Sequence, residues 1–500
     1  MNEADAITES TWQALAWRFA STGCQFFLHL SVVIILARLL SAEAFGLAGQ
    51  ALLLWGLATV FSESSFASAI VQWPKLELRC LRVALGLSVV LGLMLALLIF
   101  GLAPATAAFF NSQELVPLIR VLALTLPVST FAATAAALLH RELNQRAVFQ
   151  IDLGAYLIYA VIGISLAIQG WGAGALVGAV VGQSLFKAIL VVPYLPRPWW
   201  PILDPAAAIS LTRYALGMTS SRLLLHSARN IDYLIVGRLL GSEALGYYTR
   251  AFHLVTLPIT RFSGVINVVL FSAYSRIQND LPRLRRAYLE HVALGAMVVF
   301  PVLAALLVLA PEIIDGLFGS GWTAAILPLR FLCVGGAFLT LSNLSETIAR
   351  AKGLIQARMW RHLAFAVTVS LTAGLGAAYG LAGVSVGVVL ALAFQYALMT
   401  QMSLKLTRTA GWDYLFAHVP GTVLAVATGL TALACAVPLR QHHLPDLAIA
   451  AIALGVCTVV TLLMSITLFR PWLPPSVLRF LAGFRGLAVF GSATVRSRFP

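Results

Sequence analysis

Apolar runs of roughly twenty residues alternate with short polar connections along the chain, and the alternation occurs fourteen times. The runs lie at about 14–37, 46–70, 83–101, 114–138, 151–168, 174–193, 209–237, 246–274, 289–310, 323–348, 363–378, 382–401, 417–438 and 447–469. A helix needs ~20 apolar residues to cross the hydrocarbon core, and it satisfies its backbone hydrogen bonds within one segment. The pattern predicts an all-α polytopic membrane protein with about 14 transmembrane helices and no inserted soluble domain. The first ten residues, MNEADAITES, lack the basic leading region of a cleaved signal, so the first run is expected to stay as a span.

Composition removes the other classes. Apolar side chains make up 60% of the 500 residues and charged ones 10%, against ~25% charged in an average soluble chain. A single soluble core stops growing near ~250–300 residues, so such a chain could not hide this much apolar surface in water. The same numbers exclude disorder. The cysteines (Cys24, Cys80, Cys333, Cys435 and Cys457) are dispersed in or beside apolar runs, at neither ligand nor disulfide spacing. They read as small hydrophobes, and neither a metal nor a cofactor is expected.

The formal charge of +14 changes the picture only through its distribution. The cations form short clusters between apolar runs rather than the continuous basic stripe that nucleic acid requires, so no nucleic-acid partner is expected. Connections after even-numbered runs, together with the tail, hold 21 Lys and Arg, whereas those after odd-numbered runs hold Arg38, Arg238 and Arg440. The positive-inside rule then places both termini in the cytoplasm. Ten of eleven tryptophans fall near run ends, where indoles favour the interface, and Trp55 alone is central.

One internal echo stands out. Residues 35–46 read ILARLLSAEAFG and residues 235–246 read IVGRLLGSEALG, with seven identities in twelve at an offset of 200. The echo continues with drift: Arg120 answers Arg330, and Arg141 answers Arg350. Six spans separate the copies, and an even offset preserves orientation, so the repeats are parallel. Parallel repeats are one architecture of secondary transporters, with substrate handled between the halves. The expected organisation is an N-terminal six-helix lobe (1–200), a C-terminal six-helix lobe (201–410), two additional transmembrane helices (411–470) and a basic cytoplasmic tail (471–500).

At these residues the chain resembles the polysaccharide transporter family of lipid-linked oligosaccharide flippases. That family lies in the multidrug/oligosaccharidyl-lipid/polysaccharide exporter superfamily. The stretches that carry the likeness are IILARLLSAEAFGLAGQALL (34–53), LIRVLALTLPVSTFAATAAALLHREL (118–143), SRLLLHSARNIDYLIVGRLLGSEALGYYTRAFHLVTLPI (221–259) and SAYSRIQNDLPRLRRAYL (272–289). The resemblance implies two six-helix lobes forming a V, as in multidrug-and-toxin-extrusion transporters, often with two further C-terminal helices. It also implies alternating access in the bacterial inner membrane. The cargo implied is an undecaprenyl-pyrophosphate-linked oligosaccharide for O-antigen, capsule or exopolysaccharide. Membrane lipids, a polysaccharide polymerase and a chain-length regulator are the partners it suggests.

Nine cations remain within or beside the runs: Arg18, Arg120, Lys187, Arg213, Arg222, Arg229, Arg250, Arg261 and Arg330. Acids there are Glu63, Asp152, Asp232 and Glu346. A charge near the bilayer centre costs at least ~2.5–3.5 kcal/mol, so such groups should face partner helices or a wet cavity. Arg222 and Arg229 are seven apart with His226 between them, and Arg250 and Arg261 are eleven apart, so each pair shares a helix face. Guanidinium forks match phosphate oxygens and keep their charge when desolvated. Arg222, Arg250, Arg261, Arg18 and Arg229 are therefore the candidate substrate-binding residues. Arg229 can instead pair with Asp232 three residues on, Arg38 and Arg238 can snorkel to lipid phosphates, and Arg120 and Arg330 can be structural. Glu63, Asp232 and Glu346 are the candidate ion-coupling carboxylates, although downhill flipping needs none of them. No Gly-Lys dipeptide occurs, so a Walker A loop is absent.

Gly383-Val384-Ser385-Val386-Gly387 matches the nucleophile pattern G-x-S-x-G but falls inside an apolar run, without the strand-to-helix elbow that chemistry needs. Helix packing is the expected role, and no catalytic residue is assigned. His442-His443 lack further spaced ligands. Three other functions compete with the flippase reading. A cation-coupled multidrug exporter would favour acids in its cavity, a peptidoglycan-precursor flippase would share the anionic pyrophosphate, and a glycan polymerase would need catalytic acids and a large outer loop.

Overall fold

A computed structural model describes residues 27–62, 66–67, 70–71, 77–142, 144–202, 204, 228 and 230–469, and among them there is no β-strand. The helices are α1 (Phe27–Leu39), α2 (Ala42–Ser62), α3 (Leu78–Phe110), α4 (Leu115–Arg141), α5 (Gln145–Ile168) and α6 (Ala173–Val191). They continue with α7 (Ile231–Leu239), α8 (Gly241–Ile277), α9 (Leu281–Val308), the short α10 (Ala310–Leu317), α11 (Ile326–Ala351) and α12 (Ile355–Gly376). Last come α13 (Gly380–Thr407), the short α14 (Gly411–Phe416), α15 (Val419–Gln441) and α16 (Asp446–Thr467). Every one of the fourteen apolar runs overlaps a helix, and the class is the expected all-α polytopic one.

Several helices outrun the apolar segments that announce them. α3 has 33 residues and α8 has 37. An apolar run measures only the part of a helix in contact with lipid, whereas the backbone ladder continues into the polar interface. α9 shows how such an end is set: the Asp280 side chain accepts from the Arg283 backbone N–H at 3.1 Å, and Pro282 occupies the first turn. That N-cap starts the helix eight residues before the apolar run does.

The described residues form two compact units. The first holds α1 to α6 together with residues 241–246, and the second holds α7, the rest of α8 and everything after it. In the first unit Leu81, Leu85, Leu138, Leu139, Ile151 and Val191 build a buried cluster, while Leu97, Leu124 and Val161 point outward at 75%, 67% and 61% exposure. Outward leucines are what a lipid-facing surface requires. Trp55, the central indole, donates from Nε1 to Thr125 Oγ1 at 3.0 Å, joining α2 to α4.

The repeat appears in this unit as a reciprocal contact. A Cβ built on Gly46 would lie 1.6 Å from the Ser242 carbonyl oxygen, and one built on Gly246 would lie 1.9 Å from that of Ala42. Ala42 and Ser242, like Gly46 and Gly246, are equivalents at the offset of 200. Two helices cross here backbone to backbone, an approach that only glycine permits.

In the second unit α12 and α13 are pressed together in the same way, since a Cβ on Gly387 would lie 2.3 Å from the Thr372 carbonyl oxygen. Ser385, buried, donates to the Leu381 carbonyl at 2.8 Å. The G-x-S-x-G stretch is thus a helix interface. Tyr288, Tyr274 and Tyr414 are buried with Leu289, Val292 and Ile348, and the Tyr288 hydroxyl meets Ser345 Oγ at 2.9 Å and Ser403 Oγ at 2.6 Å. Arg285 pairs with Asp413, tying α14 to α9. The hairpin α15–α16 docks on the same unit through Arg440 Nε to Glu312 Oε1 at 2.5 Å and through Gly421, whose Cβ would meet Ala296 at 2.5 Å.

Candidate functional site

A membrane helix tolerates a polar side chain only where it is paired or wetted, so the in-span polar groups mark the candidate machinery. In the first unit Asp152 of α5 meets Lys187 of α6, Oδ1 to Nζ at 2.8 Å, with side chains 41% and 37% exposed. One and two turns further along the same face of α5 stand Tyr156 and Tyr159, their rings stacked at 5.4 Å and 14°. The His29 ring of α1 lies 5.2 Å from that of Tyr156, whose hydroxyl reaches the His29 carbonyl at 3.5 Å.

Among the described residues the second unit carries three buried carboxylates: Glu312, paired with Arg440 at the α15–α16 hairpin, and the ion-coupling candidates Glu346 and Asp232. Glu346 of α11 pairs with Arg358 of α12 and lies 3.7 Å from His362 Nε2. His362 Nδ1 is in turn 3.3 Å from Gln395 Nε2 of α13. Arg361 donates to the Leu398 carbonyl at 3.1 Å and the Ala357 carbonyl at 2.8 Å, so three helices are laced together around this carboxylate. Asp232, near the start of α7, accepts from the Tyr248 hydroxyl of α8 at 2.9 Å. Tyr233 and Phe252 pack around it, with ring centroids 6.1 Å apart, and Tyr248 stacks on Phe252 at 5.9 Å.

Of the expected substrate-binding arginines, Arg250 is half-buried on α8, about one turn after Gly246. Arg261 follows on the same helix, with its side chain outside the described residues, and Arg18, Arg222 and Arg229 lie outside them altogether. So does Glu63. Arg38 and Arg238, equivalent in the repeat, are both exposed at helix ends, as are Arg120 and Arg330. Arg120 sits 4.8 Å over the Phe100 ring. Two features escaped the sequence reading. The Asp152–Lys187 pair was signalled by opposite charges in successive apolar runs, and the Glu346–Arg358–His362 group by Arg and His at i and i+4 on one helix. Among the described residues no group of three His, Cys, Asp or Glu could hold a metal.

Among the described residues, ten spans apolar and long enough to cross a membrane, one of them covering both α12 and α13, make this a multi-pass membrane protein. Its architecture matches solved transporters. The lipid II flippase MurJ in its inward closed conformation aligns with a TM-score of 0.67 at 15% identity, covering 90% of this chain and 99% of that one. An inward-facing multidrug resistance MATE family transporter of the MOP superfamily aligns with a TM-score of 0.60 at 18% identity, covering 77% and 96%. The fold is therefore that of MATE-like transporters.

The family follows from the sequence itself. A family described as "Polysaccharide biosynthesis protein" matches residues 35–327, and the chain belongs to it, in keeping with the resemblance carried by the quoted stretches. The teichuronic acid biosynthesis protein TuaB of Bacillus subtilis (strain 168) is 26% identical over 411 residues, 81% of this chain and 82% of its own. The succinoglycan biosynthesis transport protein ExoT of Rhizobium meliloti (strain 1021) is 26% identical over 371 residues, 73% and 74% respectively. These relatives and structural neighbours are named for biosynthesis, transport and flipping, and none for an enzymatic reaction.

Proposed function

We propose that the protein flips an undecaprenyl-pyrophosphate-linked oligosaccharide from the cytoplasmic to the outer leaflet of the bacterial inner membrane, for the assembly of a surface polysaccharide. The observation that carries this reading is family membership over residues 35–327, joined to relatives named for teichuronic acid and succinoglycan biosynthesis. The six-helix lobes of 1–200 and 201–410 alternate access around the cargo, 411–470 adds two helices, and both termini lie in the cytoplasm with the basic 471–500 tail. Arg222, Arg250, Arg261, Arg18 and Arg229 contact the pyrophosphate, which needs fixed positive charge once part of its hydration is lost. The chain's 29 Arg against 4 Lys suit that task. Glu63, Asp232 or Glu346 couples transport to an ion. A polymerase and a chain-length regulator take the delivered unit.

Deletion followed by analysis of surface glycan and membrane lipids tests the reading. Loss of polymer together with accumulation of the lipid-linked unit is expected, restored by the wild-type gene but not by Arg250→Ala at equal expression. Unchanged glycan with altered drug tolerance would move the assignment to the multidrug exporter. Loss of cell-wall precursor delivery would move it to a peptidoglycan-precursor flippase.

A further inference from the structure

Asp152 and Lys187 are an ion pair within membrane-spanning helices, yet more than a third of each side chain is exposed. Lipid cannot be what they are exposed to. Asp152, Tyr156 and Tyr159 are spaced i, i+4, i+7, so they share one face of α5. The exposed apolar residues Leu157, Val161 and Ile168 form the opposite face. On α6 the exposed Leu185 and Ile189 flank Lys187 at two residues on either side, which turns Lys187 away from lipid as well. Gln183, one turn before Lys187, continues its face. The strip begins about 10 Å into α5 and reaches about 21 Å, near the middle of the bilayer.

We propose that this strip is the saccharide-binding face of the transport site: pyranose rings stack on Tyr156 and Tyr159, and sugar hydroxyls hydrogen-bond to Asp152, Lys187 and Gln183. The inference rests on the flippase reading and adds the part of the cargo recognised here. Charge decides which part that is. Lys187 is neutralised by Asp152, so the strip has little net attraction for a pyrophosphate or for a cationic drug. A carboxylate beside an ammonium offers acceptors and donors together, which matches a group dense in hydroxyls that both donate and accept. Stacked phenol rings present the π-faces against which the C–H face of a sugar ring packs.

The test uses two probes: the glycolipid that accumulates in cells lacking the protein, and undecaprenyl pyrophosphate without sugar. Affinity of the purified full-length protein in detergent is measured by microscale thermophoresis. The pair Tyr156→Leu with Tyr159→Leu should weaken glycolipid binding about tenfold or more and sugar-free binding by less than about twofold. Tyr156→Phe with Tyr159→Phe, which keeps the rings, should hold glycolipid affinity within about threefold. If the leucine pair is not monodisperse, Asp152→Asn with Lys187→Gln replaces it, with a selective loss of about fivefold expected. Wild-type glycolipid affinity in the leucine pair, or in the Asp152→Asn with Lys187→Gln pair that replaces it, or equal loss of both probes, overturns the strip and leaves the flippase reading standing. A wild-type protein that binds neither probe, or a deletion strain that accumulates no glycolipid, overturns both.

Discussion

Replacing Gly46 or Gly246 with alanine should destabilise the protein, although alanine is the better helix former at both places. The new Cβ would sit 1.6 Å or 1.9 Å from a backbone carbonyl oxygen, against 3.4 Å for ordinary contact. The crossing must therefore open by about 1.8 Å for Gly46 and about 1.5 Å for Gly246, because the obstacle is backbone and cannot rotate aside. A gap of 0.5–1 Å already forfeits a quarter to half of each contact and the larger opening needed here forfeits most of it, so a crossing of ~20–30 atom pairs at ~0.1–0.2 kcal/mol each loses ~2–5 kcal/mol. Helix propensity returns only ~1 kcal/mol. The net loss is ~1–4 kcal/mol, in a setting where packing rather than hydrophobic burial holds helices together. Reciprocity adds a sharper expectation: once one alanine has opened the crossing, the other occupies space already made. The double variant should cost about as much as one single variant, far from the sum. Unfolding titration of purified protein in detergent measures all three, with Gly101→Ala as control, since a Cβ there meets nothing within 4 Å. A stabilised Gly46→Ala matching that control, or strictly additive losses in the double variant, would refute the reciprocal crossing.

Three further outcomes are open to the same titration or to complementation. Glu346→Ala leaves the Arg358 guanidinium in a site where its side chain is 19% exposed and should cost ~3–5 kcal/mol, whereas Glu346→Met with Arg358→Leu should be close to neutral; similar losses in both would show that the pair does not form. Arg440→Ala strands Glu312, whose side chain is 3% exposed and whose Oε2 accepts no hydrogen bond among the described residues, and adding Glu312→Gln should restore part of the lost stability. Ser385→Ala should leave surface-polysaccharide production unchanged, since the hydroxyl donates to the Leu381 carbonyl of its own helix; loss of production with normal expression would reopen a chemical role.

The fold was legible because lipid imposes a single rule on every span, and fourteen apolar runs obey it. The repeat was legible for a related reason. Gly46 and Gly246 stand where two backbones touch, and the twelve-residue stretches that end on them share seven positions at the offset of 200. Helix ends were less legible, as α3 and α8 show, because the backbone ladder does not stop where lipid does. Side-chain pairing was hardest. Arg440 and Glu312 are 128 residues apart, and nothing local in either segment announces the other. Asp152 and Lys187 could be named as in-span charges, but that they meet is a property of how α5 and α6 pack, which hydropathy does not encode.

That difference in legibility bears on which charges speak about cargo. A cation in a span has three ways to persist: reaching the interface, pairing with an acid, or facing water and whatever the water-filled space receives. Arg120 and Arg330 take the first, standing exposed within two turns of the start of their helices, and Arg358 takes the second with Glu346. Lys187 combines the second and third, because it is paired and still accessible. A paired, accessible cation cannot serve as the anchor for a pyrophosphate, since its field is largely cancelled at the distance of a ligand. It can serve a neutral glycan, whose hydroxyls need donors and acceptors rather than net charge. The proposed reading then assigns charge recognition to arginines such as Arg250, half-buried on α8. On the proposed reading the two recognition tasks separate: an anionic head held by guanidinium groups, and a sugar chain held by a strip whose one ion pair leaves it without net charge. Such a division predicts that the arginine variants lose both probes, while the tyrosine variants lose only the one that carries sugar.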